Sequence, residues 1–245
     1  MVSNRESKFI KSLQLKKFRT AERKFIVEGA KNVLELLESD ILVHSLFITE
    51  DFHHDHKELL DGSKVEMKIV SEKELIRIGT FKSNNAGLAI AHIPEMASLR
   101  PAELTLGFDQ ISDPGNLGTI IRIADWYGVK QIVCSEDSVD CFSPKVVNAT
   151  MGSFARVEVH YLDLSVLVKK YDHVCATHLE GEDLHESIFQ KPTLALFGNE
   201  SSGLSQELAD QATKKVKIKG YGGAESLNVA ISAAVFCDNF KRMTK

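Results

Sequence analysis

Cysteine and proline are scarce in this chain, and long hydrophobic runs are missing from it. Its 245 residues include four cysteines and five prolines. The cysteines form no C-x-x-C pair and are too few for a disulfide scaffold, so reduced and mostly buried thiols are expected. No apolar run approaches the roughly 18 residues of a membrane span, and the N-terminus lacks the apolar core of a signal peptide. We therefore expect a cytoplasmic protein with no membrane partner.

The residues that are present have an ordinary balance for a packed protein. The chain is 43% hydrophobic and 26% charged, which excludes collagen-like, low-complexity and wholly disordered proteins. Its length suffices for one large domain or for two small domains, each with a core of its own.

Positive charge is concentrated at one end of the chain. Residues 1–31 carry nine Lys or Arg and three Glu, a net charge of +6, whereas the remaining residues sum to −10. A basic end on an acidic body favours a surface that faces a polyanion, although a solvated helix face explains the same charges. The candidate phosphate contacts are Lys16, Lys17, Arg19, Arg23 and Lys24. Binding through such residues is expected to weaken as salt rises.

A histidine cluster in the first half does not amount to a metal site. His53, His54, Asp55 and His56 lie together in a predicted polar loop, with no second group of ligands at a fixed spacing elsewhere. Zinc sites need such a second group to complete four ligands. No metal is therefore expected.

Strand and helix patterns divide the chain near residue 100. Over residues 1–95, strand-like apolar stretches alternate with helical spacing, which predicts a small α/β domain. Pro94 and Pro101 mark a linker at residues 96–103. Residues 104–245 alternate more cleanly and predict a mostly parallel sheet with helices on both faces. The expected strands of that sheet are residues 104–111, 131–134, 156–161, 173–177, 193–197 and 215–218.

Three loops at predicted strand ends carry the polar and glycine-rich sequence of this second domain. They are residues 109–118, 197–204 and 218–228, and ligands of open α/β sheets collect beyond such carboxyl ends. Glycine lets main-chain groups approach a ligand closely. None of the loops matches a phosphate-binding G-x-x-x-x-G-K-[ST] or G-x-G-x-x-G pattern. The loops therefore favour a nucleotide-like ligand that is not held by its phosphates.

Three motifs in these loops resemble those of the SpoU/TrmH class of SPOUT RNA methyltransferases. They are DPGNLGTIIRIAD at residues 113–125, LFGNESSGL at residues 196–204 and ESLNVA at residues 225–230. In the first domain, RKFIVEG at residues 23–29 and AGLAI at residues 86–90 resemble the family's substrate-binding domain. Together the two resemblances cover nearly the whole chain.

The resemblance implies a fold and an activity. The fold is a small N-terminal α/β RNA substrate-binding domain followed by a SPOUT-type catalytic domain with a C-terminal trefoil knot, a topology that general folding rules disfavour. The activity is methyl transfer from S-adenosylmethionine to a ribose 2′-hydroxyl in RNA. The family's members are homodimers that pair catalytic domains. A separate front domain resembles that of members acting on rRNA, so rRNA is preferred to tRNA as the substrate.

The resemblance also implies which residues form the site. Around the reacting centre it places Asn116, Arg122, Glu200, Ser226 and Asn228, and it places main-chain groups of Gly198, Ile218 and Leu227 on the adenosine part of the cofactor. The arginine is often proposed as the general base in this family. Because a guanidinium hardly deprotonates in proteins, a bidentate grip of Arg122 on a phosphate beside the target ribose is at least as economical.

Several of these residues could instead have purely structural roles. Asn116 and Asn228 could form turns or cap helices, and Ser226 could cap the last helix. Arg122 could form a structural ion pair with Glu200. After the first motif, the helical spacing of Ile120, Ile121, Ala124 and Tyr127 predicts a buried helix face. Trp126 and Tyr127 on this helix are expected to lie in the core rather than to stack on a base.

One position departs from the family pattern. The family usually has Ile-Pro before the third motif, whereas this chain has Ile218-Lys219 followed by glycines at 220, 222 and 223. Proline fixes φ and glycine frees the backbone. The loop is therefore expected to be more flexible before the cofactor binds, which weakens binding without abolishing it.

The sequence leaves competing functions open. The leading interpretation is a 2′-O-methyltransferase of rRNA, with tRNA as the alternative substrate. A non-catalytic RNA-binding module with the same fold is a second hypothesis, which the presence of the whole candidate catalytic set disfavours. An unrelated nucleotide-binding α/β enzyme would need a phosphate motif, and the chain has none.

Overall fold

The chain folds into two compact units. The structure, a computed structural model, describes residues 1–100, 102–199 and 202–243. One unit combines residues 1–95 with 140–156, and the other combines residues 96–139 with 157–245.

The secondary structure alternates between strands and helices along the described residues. The strands are β1 (Lys24–Glu28), β2 (Val43–Ile48), β3 (Met67–Ile69), β4 (Gly87–His92), β5 (Leu104–Phe108), β6 (Gln131–Cys134), β7 (Glu158–Tyr161), β8 (His173–Asp183), β9 (Thr193–Phe197) and β10 (Lys214–Lys217). The helices are α1 (Asn4–Ser12), α2 (Lys16–Glu22), α3 (Ala30–Leu37), α4 (Glu50–Asp55), α5 (Lys57–Gly62), α6 (Glu72–Ile78), α7 (Pro114–Trp126), α8 (Pro144–Thr150), α9 (Leu164–Val168), α10 (Gln206–Gln211) and α11 (Val229–Met243).

The first unit is built on a mixed four-stranded sheet in the order β1-β4-β2-β3. Strand β4 runs antiparallel to both β1 and β2, and β2 and β3 are parallel. The expected polar loop around the histidines is instead helical, because Thr49 accepts a hydrogen bond from the Phe52 amide and so caps α4. The buried Phe52 ring anchors this helix to the core.

A segment from the second half of the sequence completes the first unit. Residues 140–156 lie within the predicted C-terminal domain of residues 104–245, and in the structure they pack with residues 1–95 in one compact unit. The cause is aromatic packing on β1. The Phe25 ring lies 4.8 Å from that of Phe142 and 5.9 Å from that of Phe154, between centroids. These long-range contacts leave no periodic trace in the sequence.

Arg19 also ties this segment to the first unit. Its side chain is buried, and its Nε donates to Asp140 Oδ2 over 3.0 Å. Its Nη1 donates to the carbonyls of Leu13 and Gln14, each over 2.9 Å. The guanidinium therefore holds the turn between α1 and α2 against the start of the inserted segment.

Breaking this pair is expected to destabilise the protein. Asp140→Ala leaves a buried guanidinium without its counter-charge, which should lower the free energy of unfolding by about 3 kcal/mol. Urea unfolding followed by circular dichroism measures the change. The matched control is Asp238→Asn, which removes an exposed pair with Arg242 and should change stability by less than about 0.5 kcal/mol. Equal effects of the two variants would contradict the structural role of Arg19.

The second unit has the parallel sheet that the sequence predicts. Its strand order is β10-β8-β9-β5-β6-β7, and all five neighbouring pairs are parallel. Each strand predicted after residue 103 is present, with ends that differ by a few residues. Since all the strands are parallel, their carboxyl ends lie at one edge of the sheet.

The last helix packs on this sheet through aromatic side chains. The Phe236 ring of α11 lies 5.6 Å from Phe197 of β9 and 5.2 Å from Phe189, between centroids. The buried Asn239 amide donates to the Leu184 carbonyl over 2.8 Å. These contacts bring α11 back to the segment that follows β8.

Trp126 does not lie in the core, where the sequence pattern placed it. Its side chain is 84% exposed at the end of α7. The buried face of this helix is formed by smaller side chains, among them Ile120, Ile121 and Ala124. Helical spacing identified that face correctly, and Trp126 falls outside it.

The remaining expectations from composition concern cysteines, membranes and metals. All four cysteines are buried, and burial raises the pKa of the Cys175 and Cys237 thiols to about 12. No helix of the described residues is both long and apolar enough to cross a bilayer. The same residues contain no group of three or more potential metal ligands.

Candidate active site

Three of the parallel strands deliver the motif loops to one edge of the sheet. Residues 109–113 follow β5, residues 198–205 follow β9, and residues 218–228 follow β10. The first two loops begin side by side, because the Asp109 amide donates to the Phe197 carbonyl over 2.8 Å.

The first motif begins a helix at Pro114, inside the loop that the sequence predicts at residues 109–118. Asp113 caps α7 by accepting the Asn116 amide over 2.8 Å, and Pro114 occupies the first helical turn. Asp-Pro is a sequence signal for a helix N-terminus, since the aspartate supplies an acceptor and proline needs no donor. Asn116 therefore lies in the first turn of α7, with its position fixed by the helix.

The first and third motifs meet through two asparagine side chains. Asn228 Nδ2 donates to Asn116 Oδ1 over 2.8 Å. Asn228 Oδ1 also accepts the amides of Ala230, over 2.9 Å, and Ile231, over 3.4 Å. Asn228 is therefore the cap of α11, and Ser226, two residues earlier, is exposed. The capping alternative for Asn228 is correct, and the same side chain joins the starts of α7 and α11.

Asn199 and Gly203 of the second motif pair through their main chains. The Asn199 amide donates to the Gly203 carbonyl over 3.0 Å, and the Gly203 amide donates to the Asn199 carbonyl over 2.9 Å. Gly198 lies against the end of this loop, where an added Cβ would collide with the Leu204 nitrogen. Only glycine fits at that position without moving the backbone.

Two contacts fix the second loop to the first. Asn199 Nδ2 donates to the Gln110 carbonyl over 2.7 Å, and the Ser205 amide donates to Asp109 Oδ2 over 3.2 Å. Gln110 has a positive φ of 55°, which is unusual for a residue other than glycine. Its amide donates to Ser135 Oγ over 2.7 Å, which helps to hold this conformation.

The third loop is open by comparison. Residues 219–228 are all exposed. In the part of the chain that the structure describes, no hydrogen bond involves residues 219–227. A Cβ added at Gly220, Gly222 or Gly223 would meet nothing within 4 Å. The loop is thus held at its two ends, by β10 and by Asn228, and its main-chain groups are available to a ligand.

Two candidate catalytic residues are not joined to the asparagine pair. Arg122 is exposed on α7, and among the described residues no hydrogen bond or ion pair engages its guanidinium. Along the axis it lies about 9 Å from Asn116. Glu200 lies outside the described residues, and so does the alternative in which it pairs with Arg122.

The three positions expected to hold the cofactor lie on the three segments just described. Gly198 follows β9, Ile218 follows β10, and Leu227 immediately precedes the cap of α11. A close-packed glycine and an open loop supply main-chain donors and acceptors. Such groups can hydrogen-bond the base and ribose of a nucleoside, and none of the three loops carries a phosphate-binding motif. The residues present therefore fit the adenosine part of S-adenosylmethionine.

Restoring proline at position 219 is expected to tighten cofactor binding. Lys219 has no positive φ, and proline would reduce the number of loop conformations lost on binding. We expect S-adenosylmethionine to bind about 2- to 5-fold more tightly to Lys219→Pro in calorimetry. Lys219→Ala controls for the lost charge, and the loop-entropy argument predicts that Lys219→Pro binds more tightly than Lys219→Ala does. An unchanged or weakened affinity in the proline variant would refute the loop-entropy argument.

The basic candidates divide into two groups. Lys16, Lys17 and Arg23 are exposed and Lys24 is partly exposed. Arg19 is buried and already bound to Asp140 and two carbonyls. The phosphate contact predicted for Arg19 is therefore replaced by a structural role.

Sequence reasoning did not identify the residues that hold the second loop against the first. These residues are Asp109, Gln110 and Asn199, and no sequence pattern distinguishes them from residues of an ordinary polar turn. Asp113 had a readable signal, the Asp-Pro pair at a helix start. A positive φ at a glutamine has no sequence signal.

Known proteins resemble both parts of this chain. Residues 103–238 match the SpoU rRNA methylase family, and residues 4–89 match the MRM3-like substrate binding domain. The chain is 30% identical over 237 residues to the 23S rRNA (guanosine(2553)-2′-O)-methyltransferase RlmP of Bacillus subtilis, covering 95% of this chain and 94% of that one. It is 29% identical to the tRNA (guanosine(18)-2′-O)-methyltransferase of Escherichia coli K12, covering 59% of this chain and 66% of that one. The structure of an AdoMet-bound rRNA methyltransferase from Sinorhizobium meliloti matches with a TM-score of 0.87 and 29% identity, over 100% of this chain and 97% of that chain.

Proposed function

Because the chain belongs to the SpoU rRNA methylase family, we propose that it transfers a methyl group from S-adenosylmethionine to a ribose 2′-hydroxyl in ribosomal RNA. The observation that carries the proposal is the meeting of the family's motifs at one sheet edge. The Asn116–Asn228 hydrogen bond joins the first and third motifs, and the Asn199 contact with Gln110 joins the second motif to the loop before the first.

The reaction needs an aimed oxygen and an exit for its proton. When bound, S-adenosylmethionine supplies an electrophilic methyl group on a sulfonium sulfur. The main chain at Gly198, Ile218 and Leu227 holds the adenosine part in this proposal. Asn116 and Asn228, fixed by each other and by two helix starts, orient the polar groups around the reacting centre. Positioning of this kind can supply several kcal/mol of the rate enhancement.

Arg122 serves as an electrostatic clamp in this proposal. Its exposed guanidinium is available to grip a phosphate next to the target ribose through two parallel hydrogen bonds. The proton of the 2′-hydroxyl leaves to a phosphate oxygen or to water, because a guanidinium keeps its own protons in proteins. Glu200 and Ser226 complete the proposed catalytic set.

We favour ribosomal RNA over tRNA as the substrate because of the share of the chain with which each kind of relative aligns. The rRNA-modifying relative aligns with 95% of the chain, whereas the tRNA-modifying relative aligns with 59%. The unit that carries residues 1–95 is the proposed RNA substrate-binding domain, and it matches the MRM3-like substrate binding domain over residues 4–89. The exposed Lys16, Lys17 and Arg23, with Lys24, supply its proposed phosphate contacts.

We also propose that the catalytic unit contains a C-terminal trefoil knot. The return of α11 to the segment after β8 supports this topology, through the hydrogen bond from Asn239 to Leu184. A knotted arrangement would fix the third motif between the other two loops. It would also explain how the ends of an open loop are held in place.

We further place a homodimer interface on the catalytic unit. Helices α7 and α11 pack against each other, and both leave large apolar side chains exposed, Trp126 at 84% and Ile231 at 50%. Large apolar side chains left exposed on two packed helices are candidates for burial in such an interface. A tryptophan is a frequent energetic anchor of such interfaces.

Trp126→Glu is expected to separate the dimer. A charge in place of the exposed indole should raise the dimer dissociation constant on the order of 100-fold. Sedimentation velocity over a dilution series measures it. Leu179→Glu is the control, since Leu179 is similarly exposed, at 75%, but lies on β8. A Trp126→Glu protein that sediments as the natural chain does would contradict this interface.

Mass-spectrometric mapping tests the proposed function in the cell. Total RNA from cells with and without the gene is digested, and 2′-O-methyl positions are compared. The proposal predicts that one or more ribosomal positions lose the methyl group when the gene is absent. Loss confined to tRNA would assign the alternative substrate, and no loss anywhere would refute the activity.

A further inference from the structure

One tyrosine in the third loop differs from the other three in the chain. Tyr221 is 89% exposed. The Tyr161 and Tyr171 hydroxyls bond within the fold, to the Val139 carbonyl and to Thr105, and Tyr127 is partly buried. Tyr221 therefore presents a large, mostly exposed aromatic ring at the sheet edge that carries the motifs.

The Tyr221 ring has a positive charge over it and is otherwise largely exposed. Lys219 Nζ lies 5.6 Å from the Tyr221 ring centroid. The glycines on both sides of Tyr221 have open space around them, and no hydrogen bond within the described chain fixes residues 219–227. The fold gains nothing from this aromatic side chain, so its surroundings point to a ligand rather than to packing.

We propose that Tyr221 stacks on an unpaired RNA base adjacent to the target ribose, while Lys219 contacts that nucleotide's phosphate. An aromatic ring beside a cation matches a nucleotide, which presents a π-face and a negative charge together. Sequence-specific RNA binding commonly uses bases splayed from loops and stacked on aromatic rings. Tyr221 lies seven residues before Asn228, so the loop can carry the ring to the reacting centre.

Two other occupants fit the ring less well. S-adenosylmethionine carries a sulfonium charge, which the Lys219 ammonium would repel. A second copy of the chain would need an apolar patch, and lysine is depleted at protein interfaces. The sequence neighbours of Tyr221 are glycines and Lys219. A nucleic acid has flat bases that can stack on the tyrosine ring and phosphates that can pair with the lysine.

Binding of two labelled RNA probes tests the inference. Fluorescence anisotropy compares a short oligoadenylate with an abasic ribose-phosphate chain of the same length. Tyr221→Ala should weaken oligoadenylate binding about tenfold and leave abasic binding unchanged, whereas Tyr221→Phe should retain both. Lys219→Gln should weaken both probes alike and reduce the slope of log affinity against log salt.

The outcomes separate this inference from the proposed function on which it rests. Calorimetry of Tyr221→Ala should give the natural affinity for S-adenosylmethionine, and sedimentation should give the natural oligomeric state. The inference is overturned if oligoadenylate binding is unaffected, if abasic binding falls equally, or if cofactor affinity or self-association changes instead. Failure of the natural chain to bind S-adenosylmethionine would refute the proposed function and leave the stacking result interpretable on its own.

Discussion

Replacing Arg122 with alanine is expected to lower kcat for methyl transfer about 10³-fold, with little change in affinity for S-adenosylmethionine. The side chain is exposed on α7, and no described residue engages it. Its removal is therefore expected to leave the fold intact and to remove the charge proposed to position the substrate. Single-turnover assays with labelled donor and unmodified rRNA transcripts measure the rate.

The lysine variant separates two roles for this arginine. Arg122→Lys keeps the charge but loses the planar fork, so a bidentate phosphate clamp predicts a rate about 10- to 100-fold below that of the natural chain. A lysine acting as a base would instead restore a rate that rises with pH through the ammonium pKa. Full activity in Arg122→Lys would contradict the bidentate contact. Arg242→Ala, another exposed arginine of the same unit, is the control and should leave the rate unchanged.

Replacing Gly198 with alanine is expected to weaken cofactor binding about 100-fold, which corresponds to about 2.7 kcal/mol. An added Cβ would collide with the Leu204 nitrogen and with the Gly203 carbonyl carbon. Both atoms belong to the backbone, so the second loop itself must move. Movement would break the bridge between Asn199 and Gly203 and shift the main-chain groups proposed to hold adenosine.

Calorimetry with S-adenosylmethionine measures this effect, and circular dichroism checks that the variant still folds. Gly62→Ala is the matched control, because a Cβ there meets nothing within 4 Å and the residue lies in the first unit. It should bind the cofactor as the natural chain does. Natural affinity in Gly198→Ala would show that the second loop does not form the cofactor site.

The sequence predicted the parts of the fold that depend on local pattern. The strand at residues 193–197 contains the continuous apolar run of residues 194–197 because both of its faces are buried, and the structure places β9 inside a parallel sheet. Helical spacing found the buried face of α7 because apolar residues recur there every three to four positions. Each of these features repeats within a few residues, which is the range that periodicity can detect.

Long-range contacts could not be predicted in this way. The assignment of residues 140–156 to the first unit depends on Phe142 and Phe154 meeting Phe25 more than one hundred residues away. The burial of Arg19 depends on Asp140 in the same manner. By charge alone, Arg19 cannot be distinguished from its exposed neighbours Lys16 and Lys17.

In the candidate site, too, sequence motifs identify residues, whereas the contacts between those residues depend on the folded structure. The motifs identified Asn116 and Asn228, but the hydrogen bond between them follows from the folded positions of α7 and α11. The second loop is bonded to the carbonyl of Gln110, whose positive φ cannot be predicted from its residue type. Family resemblance therefore predicts which residues form the candidate site, and the structure supplies the contacts among those that it describes.

The destination of the methyl group tests the proposed activity most directly. Purified protein is incubated with S-adenosylmethionine labelled in the methyl group and with unmodified rRNA transcripts, and the RNA is digested to nucleosides. We expect label in a 2′-O-methylated nucleoside, and labelling that is about 10³-fold slower when Arg122 is replaced by alanine. Label on a base, or RNA that stays unlabelled while the protein binds the donor, would contradict ribose methylation by this site.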